Sequence, residues 1–291
     1  MATGKRMLES RAMRAFASIV NLVLGCALLL AGLGCAVPAA AQKEPPVPKE
    51  LLERVAAWAE NFLNSPVSYA AEETLQQTHY GRRGTAGGRR LIVADYFYVR
   101  SRTNPRETAE LRDLLAVDGK PAQTTAEREA KWARIAAARS AAEIAALVTD
   151  PVKQRLSPER FAGLRRLAGR FAERNWERMK YFFAQDTSDP PSRHVLVGYR
   201  QVAGEGLMVV DDRPVAPRGQ AWIEPDDGHI ARIEEEFQLK DEAYYIAVEF
   251  GRPEELGAWA PTAVTVRAFE KGRMVLDNQY SYTNFRRLPL D

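Results

Sequence analysis

Three histidines, His79, His194 and His229, supply all the imidazoles of a 291-residue chain, and each stands alone in sequence. No His-x-His or His-Glu-x-x-His spacing places two of them on one ion, so no metal and no cofactor is expected. No Gly-x-Ser-x-Gly elbow, phosphate-cradling glycine loop or paired-cysteine motif occurs either. Acid–base chemistry would then fall to carboxylates. Glu72-Glu73 and Glu234-Glu235-Glu236 are consecutive, but neighbours on a strand point to opposite faces, so most are expected at the surface. Asp95 interrupts an apolar run. Such a group acts either as a buried general base with a raised pKa or, more often, as a hydrogen-bonded carboxylate at a bulge or crossing. Trp222 opens a hairpin at Trp222-Ile223-Glu224-Pro225, where tryptophan is usually core. A hydrolase built from scattered groups would need two of His79, His194, His229 and Asp95 to meet in one cleft. No catalytic residue is assigned, and a non-enzymatic role is expected.

The elements that must position these groups begin after a leader. Lys5, Arg6, Arg11 and Arg14 precede an uncharged stretch from Ala15 to Ala41, which ends in Pro38-Ala39-Ala40-Ala41. Basic head, apolar middle and small-residue tail form a secretory signal, with the expected cut after Ala41. Gly25, Gly32, Gly34 and Pro38 interrupt the apolar run, which argues against a permanent spanning helix. Cys26 and Cys35 both lie inside the signal, so a lipid-anchored form through either thiol is the lesser expectation and the mature chain is cysteine-free. Of 41 basic and 38 acidic residues, four and one lie in 1–41, leaving 37 of each. The mature chain is therefore neutral, which removes the basic surface that nucleic-acid binding needs.

A Pro-rich leader over 42–48 should give way to a helix near Lys49, with Leu51, Val55, Trp58 and Phe62 on its apolar face. Arg90–Val99 is apolar on both faces and predicts a strand covered on both sides. Leu114–Asp118 reads as a strand running into an Asp118-Gly119 turn. Thr124 and Glu127 have capping-box spacing for a second helix. Ser157-Pro158 predicts a third, with Phe161, Leu164, Ala168, Phe171, Met179 and Phe182 inward and Arg165, Arg166, Arg170, Arg174 and Arg178 on a solvated face. From residue 192 onward, alternating runs at 195–199, 207–210, 220–224, 231–239, 244–250, 263–269 and 274–287 predict antiparallel strands with one dry face. The domain plan is a signal at 1–41, the leader at 42–48, and one domain at 49–291 with a helical insertion at 124–185.

Gly219-Gln-Ala-Trp222-Ile-Glu-Pro225-Asp-Asp-Gly228-His-Ile-Ala-Arg232-Ile, Val248-Glu-Phe250, Trp259-Ala-Pro261-Thr and Tyr280-Ser-Tyr282-Thr-Asn284-Phe285-Arg286 resemble the C-terminal half of the LolA/LolB-like outer-membrane lipoprotein carriers and receptors, and related secreted bacterial families. The resemblance covers roughly residues 192–290. It implies an α+β fold in which a curved antiparallel half-barrel carries an N-terminal helix and two central helices, with an apolar chamber for acyl chains crossed by helices. Combined with the one-sided apolar sheet, it makes Ile233, Phe237, Tyr244, Ile246, Val248, Phe250, Val264 and Val266 the expected ligand lining. The expected role is an exported, periplasmic or secreted binding protein for a lipid, acyl chain or other apolar ligand. Its partners would be an apolar ligand or a lipidated protein, with peripheral membrane contact and no nucleic acid. The alternative is an interaction or scaffold domain whose helices fill the sheet.

Overall fold

The computed structural model describes residues 44–81, 84–100, 108–138, 140–155, 164–184, 193–210 and 213–288. The expected signal, its cut after Ala41, Cys26 and Cys35, the start of the third helix at Ser157 and the side chain of Phe161 lie outside them.

Eleven strands form one antiparallel sheet. In chain order they are β1 (Tyr69–Tyr80), β2 (Ala86–Arg100), β3 (Thr108–Val117), β4 (Lys120–Pro121), β5 (Met179–Phe183), β6 (Val195–Gln201), β9 (Arg218–Ile223), β10 (Ile230–Leu239), β11 (Glu242–Gly251), β12 (Ala260–Glu270) and β13 (Arg273–Arg287). Their spatial order is β4-β3-β2-β1-β13-β12-β11-β10-β9-β6-β5, so the edges β4 and β5 stay apart and the sheet is a curved, unclosed half-barrel. A small ribbon, β7 (Met208–Val210) with β8 (Arg213–Val215), tucks Val210 and Val215 into the core. The Asp118-Gly119 turn adopts positive φ at both residues, 49° and 77°, as a two-residue hairpin requires. Among the described residues no helix is long and apolar enough to cross a membrane.

Helix α1 (Lys49–Asn64) forms where the periodicity places it, burying Leu51, Val55, Trp58, Ala59 and Phe62 against one face of the sheet. Helices α2 (Thr125–Ala137) and α3 (Ala141–Ala145) lie on the other face, where Ile135 and Ile144 pack with Phe97 and Val99. The Thr124–Glu127 capping box is complete. β2 is thus covered on both sides, with Ile92, Tyr96 and Tyr98 in the main core and Phe97 and Val99 beneath the helices. Of the two central stretches expected to cross the concave side, the first lies on the opposite face instead. Two carboxylates on the outer face of β2 and β3 draw α2 there. Asp95, 2% exposed, accepts from Arg128 Nε at 3.0 Å, Arg128 Nη2 at 2.6 Å and Trp132 Nε1 at 2.9 Å. Asp113, its register partner, accepts from Lys131 Nζ at 2.7 Å and from the Thr149 amide at 2.7 Å. A buried carboxylate must be paired and hydrogen-bonded, and Asp95 accordingly anchors a helix and is no free base.

The long third helix does not form. Residues 164–171 and 173–178 are 3-10 segments, and 179–183 is β5, an edge strand of the main sheet. Ala172, at ψ 138°, breaks the helical path, and the aromatic run Tyr181-Phe182-Phe183 favours a pleated, half-buried surface. The Pro-rich leader keeps Pro45, Pro46 and Pro48 exposed, yet it is tied to the sheet. It runs beside β5, with the Phe183 amide donating to the Pro45 carbonyl at 2.9 Å and Glu44 gripped by Lys180 Nζ at 2.6 Å and Arg200 Nη1 at 2.6 Å.

The hydrogen bond and charge of Arg200, with Lys180, lower the Glu44 carboxyl from 4.5 to about 2. A folded-state pKa below the unfolded value contributes stability above pH 4.5 that fades as pH falls towards 2. The stability difference between wild type and Glu44→Gln should therefore be constant above pH 4.5 and vanish near pH 2, as read by low-salt urea unfolding. A pH-independent difference would show that this clasp is not electrostatic.

Candidate functional site

Strand register lays an apolar row across the inner face. Val197, Ala221, Ile233, Val248, Val264, Tyr280, Leu75, Ile92 and Val117 stand side by side on successive strands from β6 to β3. Directly opposite residues share a face of an antiparallel pair, so the row is continuous. Three of the eight expected lining residues, Ile233, Val248 and Val264, belong to it. Ile246 and Val266 pair in the adjoining row, Phe237 and Tyr244 in the next, and Phe250 lies opposite Pro261 near the far end. All eight thus gather on β10, β11 and β12.

All eight are also covered, at 0 to 7% exposure. The cover is α1 together with the 164–171 segment, whose Leu167, Ala168 and Phe171 join the same core. Trp58 stacks on Phe62 at 5.2 Å between centroids and meets Phe250 and Trp259 edge-on, each at 5.8 Å. The Trp58 indole Nε1 is buried with no hydrogen-bond partner. Buried donors are nearly always paired, because an unmade bond costs about 1–3 kcal/mol.

The middle row carries the charge that holds the cover in place. Glu235, wholly buried, sits between Gly219 and Ile246 on the inner face. Arg170 Nε donates to Glu235 Oε1 at 2.5 Å, Arg170 Nη2 to Oε2 at 3.2 Å, and the Tyr199 hydroxyl to Oε1 at 3.2 Å. Burial, then the Glu235 charge, push the Tyr199 phenol well above its ordinary value, so it remains a donor. Arg170 is also locked from behind, its carbonyl accepting from the Tyr181 hydroxyl at 2.6 Å. Arg165 follows the same logic. Its guanidinium lies 4.2 Å from the Phe62 ring centroid and 4.1 Å from that of Tyr98, and donates to the Phe62 carbonyl at 2.9 Å. The expectation of a solvated arginine face therefore fails for Arg165 and Arg170, 5% and 6% exposed. An α-helical wheel misassigns faces in a 3-10 path, and guanidinium groups enter a core when carbonyls, a carboxylate and rings receive them.

The glutamate runs divide between the faces as strand geometry demands. Glu73 is buried and paired with Arg112 at 2.8 Å, whereas Glu72 reaches Arg128 at 3.4 Å. A polar cleft of about 370 Å³ also lies across β6, β9, β10 and β11, with Arg200, Arg218, Gln220, Glu234 and Tyr245 in its walls. Its charge suits it poorly to an apolar chain.

Two of the isolated histidines do meet. His194 and His229 have ring centroids 6.3 Å apart, and each lies beside Glu224 at one end of β6, β9 and β10. Burial, then Arg193, hold the His194 imidazole below its ordinary value. His79 pairs with Leu276 and Gly88 on β1, and Asp95 is committed to α2. Sequence spacing alone does not reveal the His194–His229 pair, because the strand register that creates it is non-local. The signal was the hairpin: Glu224 and His229 bracket its turn, and a neighbouring strand begins one residue after His194.

No family model matches the chain, and no curated protein does. Among solved structures it is similar to a LolA superfamily protein from Nitrosomonas europaea, at 10% identity and TM-score 0.35, covering 81% of this chain and 92% of that one. A putative outer membrane lipoprotein-sorting protein domain from Vibrio parahaemolyticus matches at 8% identity and TM-score 0.42, covering 82% and 92%. A DUF1329 family protein from Desulfovibrio piger matches at 11% and TM-score 0.32, covering 84% and 93%. These are broad likenesses of fold, and the reading of the site rests on its own residues.

Replacing Arg170 by Met should cost about 3–5 kcal/mol, because Glu235 is left buried and uncompensated. Adding Glu235→Leu should recover most of that loss, since an apolar pair of similar volume replaces the ions. Urea unfolding of the two variants checks both values, and a single variant as stable as wild type would remove the pair from the account.

Proposed function

We propose that the protein is an exported component of a bacterial cell envelope that binds an apolar, acyl-type guest between α1 and the inner sheet face, without catalysis. Periplasmic or secreted placement belongs to the same proposal and rests on the signal-like residues 1–41. The observation that carries the reading is the unpartnered Trp58 Nε1, a buried donor on a side chain that meets Phe250 of the lining, which an ester or amide oxygen of a guest would satisfy.

Because the lining is covered, a guest must part the cover from the sheet and lie beneath it, with Trp58 of α1 still facing it. Leu51, Val55, Trp58, Phe62, Leu167 and Phe171 are its large buried side chains. At about 1.5–3 kcal/mol each, they contribute roughly 9–18 kcal/mol of burial. An acyl chain of about 16 carbons, at ~0.8 kcal/mol per methylene, contributes on the order of 13 kcal/mol. The two are of one size, so a long chain can part the cover from the sheet, with α1 and its Trp58 N–H kept over the guest, and a short one cannot.

The full coverage of all eight lining residues favours a second reading, in which α1 and the 164–171 segment are permanent filling and the function lies on an outer surface. Native mass spectrometry of protein purified from envelopes without detergent, followed by titration with a fluorescent fatty acyl ester, separates the two. One guest per chain is expected, with affinity rising from short to long chains. Trp58→Phe, which removes the N–H, should weaken the ester about fivefold, the worth of about 1 kcal/mol for one hydrogen bond, and leave a plain alkane unaffected. A guest-free spectrum together with no uptake of any probe would establish the filled reading instead.

A further inference from the structure

We propose that His194, Glu224 and His229 form a binding site for one divalent transition-metal ion of the zinc class, beyond the guest-binding reading of the inner face. The register builds it. Val195 pairs with Ile223 and Ile223 with Ile230, so the next residue outward on each strand, His194, Glu224 and His229, falls in one line. The hairpin turn closes through the Glu224 amide to the His229 carbonyl and the Gly228 amide to the Glu224 carbonyl, both at 2.9 Å. Gly228, at φ +75°, sits so tightly on α1 that a Cβ there would lie 2.5 Å from the Arg54 carbonyl carbon. Arg54 Nε also donates to the Pro225 carbonyl at 3.1 Å. The ligand-bearing turn is therefore held by a helix as well as by its strands.

One donor atom from each of the three side chains lies within 4.8 Å of the other two. Four-coordinate zinc binds nitrogen and oxygen at about 2.0–2.2 Å, which sets donors about 3.4 Å apart. The donors would have to draw together by up to about 1.4 Å, a distance on the scale of side-chain rotation. A second feature marks a ligand histidine. Asp227 Oδ1 lies 2.7 Å from His229 Nδ1 and accepts from the His229 amide at 3.0 Å. A carboxylate on Nδ1 fixes the ring and leaves Nε2 to ligate, the outer-shell arrangement that metal-bound histidines use. His229 is further steadied by Trp259, 4.6 Å away between ring centroids. The three side chains are only 15–19% exposed, so the ion would be partly shielded from water. Among the described residues Arg193 competes for Glu224, 3.5 Å from its Oε2 but 78% exposed. Three protein ligands leave one position open to water or to a donor from another molecule.

The test uses the full untagged mature chain, stripped with a chelator and titrated with Zn²⁺ in a calorimeter. One ion per chain is expected, and Co²⁺ in its place should show the visible absorption of a four-coordinate nitrogen–oxygen site. His194→Ala and His229→Ala should each weaken uptake at least a hundredfold. Asp227→Asn should weaken it ten- to a hundredfold through ring orientation, and Arg193→Ala should leave it unchanged or tighter. Circular dichroism confirms that each variant is folded, and Glu224→Gln supplies a third ligand variant should a histidine variant unfold. No stoichiometric uptake by wild type, or uptake that survives the loss of both histidines, would overturn the proposal. Neither result bears on the acyl guest, whose assay reads a different surface.

Discussion

Glu235 places a full negative charge on the dry side of a sheet, and that charge decides what covers the sheet. An isolated carboxylate there would be far too costly, so a cation must be delivered to it. The chain delivers Arg170 with the Tyr199 hydroxyl alongside. Delivering Arg170 also brings Leu167, Ala168 and Phe171 onto the core and fixes their segment against α1. The Arg165 guanidinium then joins that segment to α1 through the Phe62 ring and carbonyl. One buried ion pair thus orders a stretch whose short 3-10 turns would hold little structure alone. Buried pairs seldom add net stability over apolar packing; what this one supplies is position.

The outer face repeats the device with Asp95 and Asp113, which fetch Arg128, Trp132 and Lys131 and so dock α2. The sheet therefore carries cover on both faces, the outer helix located by Asp95 and Asp113 and the inner 164–171 segment by Glu235. The result is a layered α+β half-barrel in which the inner cover and the outer helices are separately addressed.

Much of this was legible from residue order. Alternation in 231–239, 244–250 and 263–269 put Ile233, Phe237, Tyr244, Ile246, Val248, Phe250, Val264 and Val266 on one face, because side-chain direction on a strand has period two. The two-faced run at 90–99 likewise foretold cover on both sides. The rest depended on contacts between distant residues. Nothing near Arg165 or Arg170 shows that Phe62, Tyr98 and Glu235 await them, so their charge alone points to solvent. The run 164–183 has helical spacing, yet pairing with β6 takes its aromatic end into the sheet. His194 and His229 are 35 positions apart and become neighbours only through the β6–β9–β10 register.

The proposed guest requires an inner cover that parts from the sheet, and hydrogen exchange resolved along the chain reads that most directly. With a saturating long-chain acyl ester, amides of 49–64 and 164–171 should exchange faster than in the guest-free protein, while β10, β11 and β12 become better protected. Unchanged exchange in the cover at saturating ester, with the strands equally unaffected, would contradict the claim and leave the inner face as ordinary core.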